Sequence, residues 1–131
     1  MNGKEIAESA VRVLDDKRAH DIRMYRMVPD RSIVDYAVIA TGNSNTQVRA
    51  FSGELEEKLR EQGAVLDHVE GHDGGIWVLM DYSTVAIHLF TRDAREFYNL
   101  DRLWSDAEPI DITALLEDNT AENGKKDEAK Q

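Results

Sequence analysis

At 131 residues the chain is long enough to bury one core and short for two domains. Its 41% hydrophobic and 32% charged residues give a globular balance, neither disordered nor fibrous. A net charge of −10 argues against wrapping a phosphate backbone, and the absence of cysteine excludes disulfides, Cys-ligated zinc and thiol catalysis.

The first predicted element is a helix from Ile6 to Lys17, with Ile6, Ala10, Val13 and Leu14 on one stripe. Ile22 to Val28 alternates charged and apolar residues like an edge strand and ends at Pro29-Asp30-Arg31. Val34 to Ala40 is a second, β-rich run. Ser44 and Gln47 form a candidate capping box for a helix carrying Val48, Phe51, Leu55 and Leu59, with Gly63 as its C′ stop. Three strands follow, Val65 to Val69, Ile76 to Asp81 and Val85 to Phe90, and then a helix from Arg92 to Trp104. From Glu117 to Gln131 there is nothing to bury, so residues 1–116 are expected to form the domain and 117–131 a disordered acidic tail. The order α-β-β-α-β-β-β-α predicts a single α/β layer fold with a mixed sheet of about five strands and flanking helices. No apolar run is long enough to span a membrane and MNGKEIAESA has no signal-peptide core, so the expectation is a soluble cytoplasmic protein.

Candidate chemistry is sparse. His68 and His72 invite a metal, but in an extended strand they stand roughly 13 Å apart, and only a reversal at Gly71 closes that gap. Gly71-His72-Asp73-Gly74-Gly75 leads into a strand and lacks the P-loop ending, so it reads as a hairpin connection. Thr41-Gly42-Asn43-Ser44 joins a strand to a helix and is the better anion candidate, although a capping box alone accounts for Ser44 and Gln47. The competing class is a metal-dependent nucleotidyltransferase, whose Asp-x-Asp clamp is missing: Asp67 and Glu70 are three apart and Asp81 stands alone. Neither a cofactor nor a metal is expected.

The aromatics are concentrated. Six of the nine lie between Trp77 and Trp104, and the strands IWVLMD and VAIHLF are apolar on both faces. Either helices cover both faces or one face meets a partner, and Trp and Tyr are common interface anchors. In a continuous helix Phe97, Leu100 and Trp104 would share the inward stripe and Tyr98 would project from its edge.

Three blocks, DYAVIATGNSNTQVRA (35–50), EGHDGGIWVLMDYSTVAIHLF (70–90) and REFYNLDRLWSDA (95–107), resemble the ribosomal silencing factor RsfS family, also called Iojap-like. Two departures stand out: Ser83-Thr84 replaces the usual Gly-Asp, and Thr46 stands where Arg is common. The resemblance implies a nucleotidyltransferase-like fold without the enzyme's acids. It implies a translational repressor, not an enzyme, that binds ribosomal protein L-fourteen on the large subunit and blocks joining of the small subunit in stationary phase or nutrient limitation. The partner-binding residues expected are Trp77, Asp81, Tyr82, His88, Phe90, Tyr98, Asn99 and Leu100. The third reading, beside the repressor and the nucleotidyltransferase, is a self-associating protein whose apolar sheet face pairs with its own copy as a homodimer.

Overall fold

Asn2 starts the first helix. Its side-chain oxygen accepts the Glu5 N–H at 2.8 Å and Glu5 Oε1 accepts the Asn2 N–H at 3.1 Å, a reciprocal cap that opens α1 (Gly3–Asp16). The computed structural model describes residues 1–129, with side chains through residue 121. Ser44 caps α2 (Asn45–Glu61) by accepting the Gln47 N–H at 3.1 Å. Gln47 reaches back one residue further than a capping box requires, to the Asn43 N–H. Gly63, at φ 96°, closes that helix in the left-handed conformation.

Six strands make one sheet in the order β3-β4-β5-β2-β1-β6. They are β1 (His20–Arg26), β2 (Tyr36–Gly42), β3 (His68–Glu70), β4 (Trp77–Asp81), β5 (Val85–Thr91) and β6 (Glu108–Ile110). Only β2 and β5 run parallel, the crossover between them containing α2 and the β3–β4 hairpin. α1 and α2 cover one face: Ile6, Ala10 and Leu14 from α1, and Val48, Phe51, Leu55 and Leu59 from α2, are buried with Val38, Ala40, Val78, Met80, Ile87 and Leu89. Strand alternation sends Ile39, Leu79, His88 and Phe90 to the opposite face.

Three expectations are corrected. The sheet has six strands, because Glu108-Pro109-Ile110 pairs with β1 at the edge, where a proline's missing N–H does little harm. The helix from Arg92 to Trp104 is two pieces, α3 (Arg92–Tyr98) and α4 (Leu100–Leu103), because Asn99 adopts φ 45°, ψ 56°. The solvated tail expected from Glu117 is instead helical: α5 is Thr113–Ala129, and Asn119 is only 4% exposed. The Asn119 amide nitrogen lies 3.2 Å from the Arg12 carbonyl and 2.9 and 2.8 Å from the carboxylates of Asp15 and Asp16. A polar anchor of this kind leaves no mark in hydrophobic periodicity. Residues 130 and 131 of that tail lie outside the described residues.

Candidate partner-docking face

The second sheet face is covered at one end only. α3, α4 and the turn after them place Ala94, Leu100 and Ala107 over Tyr25, Ile39 and Phe90, with Trp77 and Trp104 at the margin of this small core. Beyond it, Leu79, Asp81, Ala86 and His88 on β4 and β5 stay half-buried, with no helix over them among the described residues. Trp77 sits where the covered and open parts meet. Its ring lies 4.6 Å from Tyr98 and 4.9 Å from Phe90, centroid to centroid, and its indole N–H donates to His88 Nδ1 at 3.1 Å. Trp104 makes edge-to-face contacts with His88 at 5.2 Å and with Tyr25 at 5.7 Å. Such offset and edge contacts suit the aromatic quadrupole and hold the rings in one arrangement. Burial lowers the His88 pKa to about 4, so the ring is neutral at ordinary pH.

A charged clamp fixes α3 and α4 to this face. Asp101 accepts the Tyr25 hydroxyl at 2.7 Å and the Arg95 Nε–H at 3.0 Å, and Arg95 also donates to the Asp21 carbonyl at 2.9 Å and to Thr41 Oγ1 at 3.0 Å. Asp21 offers that carbonyl because it stands in a bulge of β1 with φ 47°. Burial alone would raise the Asp101 carboxyl; the Tyr25 and Arg95 hydrogen bonds and the Arg95 and Arg23 charges outweigh it and hold the pKa below the ordinary value. Burial, then the bond to Asp101, raises the Tyr25 phenol. No apolar pattern announces this clamp, and sequence reasoning missed it.

The eight expected partner-binding residues divide by burial. Trp77, Asp81 and His88 are half-buried on the open face, and Tyr98 and Asn99 are exposed at its rim. Tyr82, Phe90 and Leu100 are interior, at 4%, 0% and 7% exposure, so as surface contacts they are corrected: Phe90 and Leu100 lie in the small core beneath this face, and Tyr82 lies in the core on the α1–α2 side. Phe97 was expected inside and is 81% exposed, because the turn at Asn99 breaks the helical phase that linked it to Leu100 and Trp104. Phe97, Tyr98 and Ile76 instead line an open groove of about 750 Å³ with Asn43, Ser44 and Arg92. At the candidate anion turn, Ser44 and Gln47 are engaged in capping, and Arg92 donates to Asn43 Oδ1 at 3.0 and 3.1 Å.

Gly71 takes φ 77°, and a Cβ there would run into the Trp77 carbonyl oxygen. The loop it opens is pinned to the start of α2 by Asn45 Nδ2 to the Gly74 carbonyl at 2.9 Å and by Arg49 to the Asp73 carbonyl at 3.2 Å. The reversal brings His68 to Asp67 and Asp81, at 3.1 and 3.7 Å, and not to His72. The hydrogen bond to Asp67, with the Asp81 and Glu70 charges, raises the pKa of this exposed imidazole, as an ion-pair cluster does.

Fold and face together define a mixed-sheet α/β domain with an aromatic-edged sheet surface that no helix among the described residues covers. The family described as RsfS, ribosomal silencing factor during starvation, matches residues 1–131, and the chain belongs to it. The ribosomal silencing factor RsfS of Bacillus subtilis is 40% identical over 112 residues, covering 86% of this chain and 95% of its own. A crystal structure of a Chromobacterium violaceum protein superposes with a TM-score of 0.76 at 34% identity, over 79% of this chain and 87% of that one. More distant is the mouse protein named mitochondrial assembly of ribosomal large subunit protein 1, 30% identical over 98 residues, covering 72% of this chain and 43% of its own. No helix among the described residues is long and apolar enough to cross a membrane.

Proposed function

We propose that this protein binds the large ribosomal subunit through ribosomal protein L-fourteen and sterically blocks joining of the small subunit, silencing translation in the cytoplasm. The observation that carries the reading is the open β4–β5 face, with the Trp77 and Tyr98 rings in tilted contact at its edge, on a chain of net charge −10. The negative charge disfavours ribosomal RNA and favours a basic ribosomal protein, while the aromatic edge supplies a dry anchor. Membership of the silencing-factor family and the large-subunit name of the mouse relative support the choice of subunit. The mechanism is occupancy and needs no chemistry. At a concentration of about 100 times the dissociation constant, a bound factor opposes joining by ~2.7 kcal/mol. Sedimentation with separated subunits tests it: the protein travels with large subunits, and recovery with both or neither overturns the reading. Self-association through the same face is the second occupant, and a doubled mass in light scattering, abolished by Tyr98→Ala, would show it.

A further inference from the structure

His88 was expected among the contact residues, and its geometry gives it a narrower task. The two ring nitrogens of a neutral imidazole have opposite roles, one donor and one acceptor. Nδ1 is the acceptor here, because it receives the Trp77 indole N–H, a group that only donates, at 3.1 Å. The ring proton is therefore on Nε2. Among the described residues no acceptor meets Nε2, and the only sealed side-chain N or O atom without a partner among them is the Tyr82 hydroxyl, so Nε2 reaches solvent. Its surroundings are apolar: Leu79 is its cross-strand neighbour on β4, and Trp77 and Trp104 flank it.

We propose that His88 is the specificity-determining donor of the docking face, offering its Nε2–H to a main-chain carbonyl oxygen of the basic protein that covers β4 and β5. This rests on the function proposed above and adds the group that reads the partner's register. Trp77 and Tyr98 give non-directional attraction; a single fixed donor among apolar groups rejects any docking pose that leaves it unpaired, since an unsatisfied buried N–H is costly. An uncharged carbonyl fits better than a carboxylate, because the chain as a whole carries a net charge of −10 and selects against an acidic partner.

Two amide substitutions separate the donor from the support of Trp77. In His88→Asn the shorter amide can still accept the Trp77 N–H but does not reach the position of Nε2; in His88→Gln the longer amide carries an N–H to that position. Affinity for purified large subunits is measured for the wild type and both variants, alongside melting temperature. The expected result is about a tenfold loss for His88→Asn and a loss under about threefold for His88→Gln. Equal binding by all three chains overturns the donor role, and so does the reverse order, which would make His88 only a support for Trp77. A wild type that ignores large subunits overturns the function itself and this inference with it. If a variant unfolds, nitrogen NMR of the wild type decides: the Nε2-bound proton is expected in the free protein and protected from exchange after large subunits are added. A proton on Nδ1, or unchanged exchange in the complex, contradicts the proposal.

Discussion

Replacing Asp101 by Asn tests the clamp that holds the docking face together. The change keeps the shape of the side chain and one acceptor oxygen but removes the charge that pairs with Arg95, in a place where the two side chains are 26% and 11% exposed. Hydrogen bonds to charged groups contribute about 1.5–3 kcal/mol, and Arg95 keeps its bonds to Asp21 and Thr41, so a loss of about 2 kcal/mol follows at pH 7. For a domain this size that is a fall of roughly 8 °C in melting temperature. The pH dependence has a fixed sign. The folded carboxyl lies below its ordinary value of 3.8, so its stabilisation is present above that pH and is lost as pH falls through the folded value. The gap between wild type and Asp101→Asn should therefore be full at pH 7 and close progressively below about pH 4. Guanidinium unfolding followed by tryptophan fluorescence measures both. A gap under about 0.5 kcal/mol at pH 7, or one that widens on acidification, refutes the clamp.

Tyr82→Phe should raise stability by about 0.5–1 kcal/mol, because the buried hydroxyl has no partner among the described residues and burial, with the Glu56 charge, pushes its pKa up to about 12; a lower melting temperature would reveal a hidden acceptor. Ser83→Gly should stabilise by up to about 1 kcal/mol in chemical denaturation, since Ser83 holds φ 69°, and a loss would show that the turn prefers its serine. Ending the chain after Leu116 should cost about 1–2 kcal/mol through the lost Asn119 contacts with α1, and an unchanged melting temperature would show that α5 is dispensable.

Much of the helix-covered half was legible. The α2 stripe of Val48, Phe51, Leu55 and Leu59 is buried as its spacing requires, and the Ser44 cap and Gly63 stop fall where turn chemistry places them. The two-sided apolarity of β4 and β5 left two readings open, helices over both faces or a partner on one; α3 and α4 cover one end of the second face, and no described helix covers the rest. The other face was harder, because its order depends on backbone choices that side-chain periodicity does not record. Asn99 reads as an ordinary helical residue, yet its left-handed conformation ends α3 and turns Phe97 outward. Asp101, Arg95 and Tyr25 are distant in sequence and polar, so neither moment nor motif joins them. The same holds for β6 and for Asn119: short or polar elements are fixed by tertiary contacts, not by local propensity.

Subunit joining itself tests the central claim most directly. Purified small and large subunits are mixed at joining magnesium concentration with rising amounts of the protein, and light scattering reports joined ribosomes. The wild type should abolish the signal once it saturates the large subunits. Tyr98→Ala, which removes the half-exposed ring packed against Trp77, should need about thirtyfold more protein, a hot-spot loss of about 2 kcal/mol. Full joining in the presence of saturating wild-type protein would contradict the account.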